Sequence, residues 1–149
     1  MSKLKENLST TDEAPATENS NELDASIVFA AHAASDKKAI DPIVLDLRSI
    51  ASFTDYFLIL SGTNARQVQA IADGVTETLK ASGLPSNRVE GYAAAEWVLI
   101  DYGSFIVHIF DEKSRRFYDL ERLWRDGRRV ELPPEIGGAA NASSLKDEA

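Results

Sequence analysis

Residues 96–110 read Glu-Trp-Val-Leu-Ile-Asp-Tyr-Gly-Ser-Phe-Ile-Val-His-Ile-Phe. Two runs rich in β-branched and aromatic residues flank Gly103-Ser104, a pair suited to a two-residue turn with positive φ at its first position, so the stretch predicts a β-hairpin. With Gly103 and Ser104 as the loop, Tyr102 pairs with Phe105, Asp101 with Ile106, Ile100 with Val107, Leu99 with His108, Val98 with Ile109 and Trp97 with Phe110. Side chains alternate across a strand. One face therefore collects Val98, Ile100, Tyr102, Phe105, Val107 and Ile109, a core face suited to lie under helices. The other collects Trp97, Leu99, Asp101, Ile106, His108 and Phe110. Asp and His do not suit a wholly buried face, nor Trp, Leu and Phe together a solvated one, so this side reads as a binding face. The plainer alternative is that helices cover both faces and Trp97 is simply core. A slip of one residue in register would exchange the roles on one strand.

A chain of 149 residues suffices for one domain with a real core. It has no cysteine, which removes disulfides and thiolate metal sites. Neither a secretory signal nor a membrane span is expected, and a soluble, cytoplasmic protein is the default. The net charge of −8 is concentrated at the ends: residues 1–24 carry six acids and two bases and residues 133–149 three acids and one base, whereas residues 25–132 carry fifteen acids and thirteen bases. Such a middle lacks the broad basic surface that phosphate neutralisation needs, so capture of RNA or DNA as the main activity is not expected. The exception is the cluster Arg115, Arg116, Arg122, Arg125, Arg128 and Arg129, which could touch a phosphate locally but is more often a solvated helix face.

Three parts are expected: a disordered extension over 1–21, a domain over 22–132 and a flexible tail over 133–149. Asp24 can cap a first helix running to about Lys38, with Leu23 stapled onto Val28 and an apolar stripe of Ile27, Val28, Ala31 and Ala34. His32 lies off that stripe and reads as a surface residue. After Asp41-Pro42, residues 43–47 read as a strand whose one polar member, Asp46, is more often hydrogen-bonded at a strand end than a metal ligand. A second strand in 54–64 runs into Ser61-Gly62-Thr63 and a helix capped by Asn64, with Gln67 as reciprocal partner, that ends at Gly83. Residues 84–95 read as a connection. Beyond the hairpin a helix over 112–124 should turn Phe117, Leu120, Leu123 and Trp124 inward and its arginines outward, and Val130-Glu131-Leu132 adds a short edge strand. The sum is an α/β protein, one mixed β-sheet with packed helices in the order α-β-β-α-β-β-α.

No common catalytic pattern emerges. There is no HExxH, His108 falls mid-strand without a GxSxG nucleophile turn, and Ser61-Gly62-Thr63 has neither a GxGxxG pattern nor a P-loop lysine. Two hypotheses remain. One is a non-enzymatic binding module using the mixed hairpin face, with no cofactor and no metal. The other is a small nucleotide- and Mg-dependent, nucleotidyltransferase-like enzyme built on Ser61-Gly62-Thr63 with Asp46, Asp55 and Asp101 around a cation.

Several segments, in order, carry a resemblance: Asp46-Leu47-Arg48, residues 54–63, residues 66–73, Glu90-Gly91, residues 96–103, Val107-His108-Ile109-Phe110 and residues 116–124. Together they resemble the ribosomal silencing factor family, also called Iojap-like, over about residues 25–126. The resemblance implies a nucleotidyltransferase-like fold without known catalysis. It also implies a protein that grips large-subunit ribosomal protein fourteen, blocks docking of the small subunit and represses translation when nutrients are short; members also act in organelle ribosome assembly. The family's Trp-apolar-apolar-apolar-Asp segment falls on Trp97, Val98, Leu99, Ile100 and Asp101. Trp97 is then the aromatic anchor, Leu99 its neighbour and Asp101 a carboxylate for a basic group on the partner, with Val98, Tyr102 and His108 counted in the same contact region. An apolar face of this kind also points to a homodimer when the ribosome is absent.

Overall fold

A computed structural model describes residues 24–136. The expected extension over 1–21, the Leu23 staple and most of the expected tail lie outside the described residues. The elements are α1 (Ala25–Asp36), β1 (Ile40–Asp46), β2 (Tyr56–Gly62), α2 (Ala65–Ala81), β3 (Arg88–Glu90), β4 (Trp97–Asp101), β5 (Phe105–Asp111), α3 (Glu112–Tyr118), a single turn α4 (Leu120–Leu123) and β6 (Arg128–Val130). They build one mixed six-stranded sheet in the order β3-β4-β5-β2-β1-β6, with β2 and β5 parallel and the other pairs antiparallel.

The hairpin has the predicted register throughout, from Trp97 opposite Phe110 to Asp101 opposite Ile106. Gly103 takes φ +87°, and the Tyr102 N–H donates to the Phe105 carbonyl at 2.9 Å, closing the turn. The expected core face is sealed: Val98, Ile100, Val107 and Ile109 are fully buried and Tyr102 and Phe105 nearly so, in one cluster with apolar side chains of α1 and α2. All seven residues of β2 are buried, as a strand at the middle of a sheet covered on both sides requires.

Caps set the helix starts. Asp24 accepts from the Ser26 N–H at 2.7 Å, and Asn64 accepts from the Gln67 N–H at 2.8 Å. The Gln67 side chain does not return to Asn64. It accepts from the Thr63 N–H and donates to the Lys37 and Lys38 carbonyls, which ties the end of α1 to the start of α2.

Four expectations change. β1 starts earlier than residue 43, with Asp41-Pro42 absorbed in a register shift between Ile40 and Ile43, where a proline's missing N–H costs no ladder bond. The connection over 84–95 contains β3, three exposed residues paired with β4. The edge strand is Arg128–Val130 rather than 130–132, paired with β1. Finally, Ile136, placed by sequence in a loose tail, is buried in the α1 cluster, and its carbonyl accepts from Ser35 Oγ at 3.3 Å.

Candidate functional site

The second face of the sheet is built from Leu45, Phe57, Ile59, Ile106 and Phe110, with Leu47 and Leu120 in the same cluster and Trp97, Leu99 and Trp124 only partly buried at its margin. Phe110 and His108 are buried. The face expected to be a mixed binding surface is neither open throughout nor fully covered: the segment carrying α3 and α4 lies over part of it, and the aromatic rings cover one another.

Trp97 is the hinge between covered and open ground. Its ring lies 5.0 Å from Phe110 on the buried side and 4.7 Å from Tyr118 on the exposed side, and Tyr118 meets Phe117 edge-on at 5.0 Å. The indole N–H donates to His108 Nδ1 at 3.0 Å across the two strands, a diagonal contact available because Trp97 faces Phe110 two residues on. This bond leaves the imidazole proton on Nε2, which is buried with no partner among the described residues. Burial pushes the His108 pKa down to about 3, so the ring stays neutral and fixes the indole as an acceptor. Gly91, at φ +81°, passes so close to β4 that an added Cβ would sit 2.1 Å from the Trp97 carbonyl. Any side chain there would displace the backbone that carries Trp97.

The covering segment differs from the continuous helix expected over 112–124. Asp111 caps α3 by accepting from the Ser114 N–H at 2.7 Å, but Asp119 takes φ 49°, ψ 56° and ends α3 after two turns. The break splits the predicted inner face. Phe117 and Leu123, expected inside, are 78% and 70% exposed, while Leu120 is buried. Arg115, expected outside, turns inward: it donates to Ser61 Oγ at 2.7 Å, to the Ile40 carbonyl and to Glu121 at 2.9 Å. A guanidinium spanning β1, β2 and α4 holds the broken helix against the sheet, and the aromatic residues beside the break are left in solvent.

The proposed contact residues therefore separate. Trp97, Leu99 and Asp101 lie on the second face and are partly accessible. Asp101 is already engaged by the Gly103 N–H at 2.8 Å and by Arg88 Nε at 3.4 Å. His108 sits beneath Trp97 and acts on the surface only through it. Val98 and Tyr102 belong to the sealed face under the helices and reach no surface on this side. Sequence reasoning missed Phe53, Tyr118 and Trp124, whose rings continue the patch through Phe57 and Trp97. The alternation rule that found Trp97 does not apply to residues contributed by a loop and a broken helix.

The nucleotide hypothesis does not assemble. Asp46 is occupied by Arg48, bidentate at 3.0 and 2.8 Å, and by Arg128 at 3.3 Å, and the Arg48 guanidinium holds its carboxyl below the ordinary range. Among the described residues no three His, Asp or Glu side chains gather as a metal ion would require. In the turn at 61–63, Ser61 Oγ is taken by Arg115 and the Thr63 N–H by Gln67, so the groups that would cradle a phosphate are already engaged. No helix among the described residues is long and apolar enough to cross a membrane.

Comparison with known proteins identifies the family. A family model described as "Ribosomal silencing factor during starvation" matches residues 18–149. The chain is 43% identical over 104 residues to a ribosomal silencing factor of Halalkalibacterium halodurans, covering 70% of this chain and 89% of that protein. It is 41% identical over 104 residues to the ribosomal silencing factor of Bacillus subtilis, covering 70% and 88%. A crystal structure of a Chromobacterium violaceum protein superposes with a TM-score of 0.68 at 33% identity, covering 75% of this chain and 90% of that one.

Proposed function

This chain belongs to the ribosomal silencing factor family, and from that premise we propose that it binds the large ribosomal subunit through large-subunit ribosomal protein fourteen and keeps the small subunit from docking. Silencing of translation follows from occupancy alone, without catalysis or a cofactor. The architecture is taken to be nucleotidyltransferase-like without that chemistry, and the protein is placed in the cytoplasm. One observation carries the reading: a half-covered aromatic patch centred on Trp97, next to the accessible Leu99 and Asp101, on a face that is otherwise packed. Large aromatic side chains held rigidly at the edge of a packed cluster dominate interface energies because they bury much area for little lost entropy. Trp97 is held by His108, Phe110 and Tyr118.

Asp101 keeps a carboxylate near this patch while sharing it with Arg88, so a basic side chain of the partner would compete with Arg88 for it. In the absence of ribosomes the same apolar ground is expected to pair two copies of the chain. Co-sedimentation with purified large subunits, with and without free ribosomal protein fourteen, tests the proposal. Added protein fourteen should displace the chain from subunits in proportion to its concentration, and the bound chain should slow joining of the two subunits. Binding to subunits that no excess of protein fourteen reduces would overturn it.

A further inference from the structure

Arg116, Phe117, Tyr118, Arg122, Leu123 and Arg125 line one open depression on the solvent side of α3 and α4. The sequence alone gives this run no more weight than a solvated helix face, but three features of the structure distinguish it. First, Arg115 is consumed internally by Ser61 and Glu121, and Asp46 takes Arg48 and Arg128, whereas Arg116, Arg122 and Arg125 form no ion pair among the described residues. Second, the break at Asp119 leaves Phe117 and Leu123 among the most exposed large apolar side chains, between those free guanidinium groups. Third, residues 112–129 hold seven bases against four acids in a chain of net charge −8. This is the most basic stretch of an acidic protein, and it adjoins Trp97 through Tyr118.

We infer that this depression is a second contact site, for an unpaired loop of RNA, with the three arginines on phosphates and Phe117 stacked under a base. The inference rests on the ribosome-binding reading, which brings RNA to the neighbourhood of the Trp97 patch. Free guanidinium groups around an exposed ring are the combination that binds single-stranded RNA, because the charges track the backbone while the ring takes a base of any identity. A basic protein surface would be repelled by the same charges. Asp119 and Asp126 border the depression and limit it to a local contact, not a general RNA-binding surface.

The full chain is titrated into a fluorescein-labelled oligouridylate of about fifteen nucleotides, and anisotropy is followed between about 50 and 200 mM KCl. Saturable binding is expected, and the triple variant Arg116→Gln, Arg122→Gln, Arg125→Gln should bind at least about tenfold more weakly with a salt slope reduced by about two. Phe117→Ala should weaken binding with the salt slope unchanged. All four side chains are exposed, so thermal unfolding of the variants should match wild type. Wild type that fails to bind, a triple variant that binds equally, or polyglutamate of the same length binding as well as the oligonucleotide would each overturn the inference. The titration contains no ribosome, so its failure leaves the protein-fourteen competition to stand or fall separately.

Discussion

The two faces of the β4–β5 hairpin are drawn from one fifteen-residue stretch and meet opposite fates. On one face Val98, Ile100, Val107 and Ile109 disappear completely beneath α1 and α2. On the other Phe110 and His108 are buried but Trp97 and Leu99 stay partly open, with Trp97 against Tyr118 beside the break at Asp119. The sealed face sets stability; the half-sealed face carries the aromatic patch around Trp97, holds a buried polar pair, and is the proposed ground for binding. A surface built this way is rigid before a partner arrives, so little ordering cost remains to be met on association.

The largest effect that should separate the faces is on stability. Ile100→Ala removes a fully buried side chain and is expected to cost about 3 kcal/mol, whereas Leu99→Ala, one residue away on the partly open face, should cost under about 1 kcal/mol. Urea unfolding of both variants reads the contrast, and equal losses would mean that the second face is core after all. Next in size is binding: Trp97→Ala should weaken attachment to large subunits by about 2 kcal/mol, or roughly thirtyfold, while the domain stays folded.

A pH effect of similar size tests the buried pair. The folded-state pKa of His108 is lowered from 6.5 to about 3, so below pH 6.5 the unfolded chain takes up a proton that the folded one refuses, and stability falls as pH falls through that window. Between about pH 6.5 and 4.5 wild type should lose up to about 2.5 kcal/mol more than His108→Gln, which keeps an acceptor for the indole but cannot titrate. The carboxyl of Asp46 is held below the ordinary range and contributes only at lower pH. Identical pH profiles would show that the imidazole is not sealed. The smallest effect belongs to Tyr102, whose hydroxyl is buried on the sealed face without a partner among the described residues. Tyr102→Phe should leave subunit binding unchanged and stability equal or higher by under about 1 kcal/mol.

Much of this contrast was legible in the sequence. The Gly-Ser turn and the alternation on either side fix the register, and with it which residues share a face. Coverage of a face is a different matter, since it depends on elements far along the chain. Phe117, Leu120, Leu123 and Trp124 have the spacing of a continuous amphipathic helix, yet Asp119 adopts a left-handed conformation that no local pattern announces, and two of the four turn outward. Arg115 shows the same limit from the other side: a guanidinium reads as surface until Ser61, Ile40 and Glu121 are brought around it. β3 escaped because three exposed residues are too short a run for their alternation to stand out. The patch around Trp97 was thus found by its strand half and missed in the half supplied by Phe53, Tyr118 and Trp124.

Hydroxyl-radical footprinting of the chain, free and bound to large subunits, compares the two sides of the molecule in one experiment. Trp97, Leu99 and Tyr118 should be oxidised in the free protein and protected in the complex, while Phe29 on α1 and Tyr92 beside α2, exposed at 42% and 39%, should react equally in both. Protection of Phe29 and Tyr92 with Trp97 left reactive would mean that the ribosome meets the helical side, and that the aromatic face is not the one that binds.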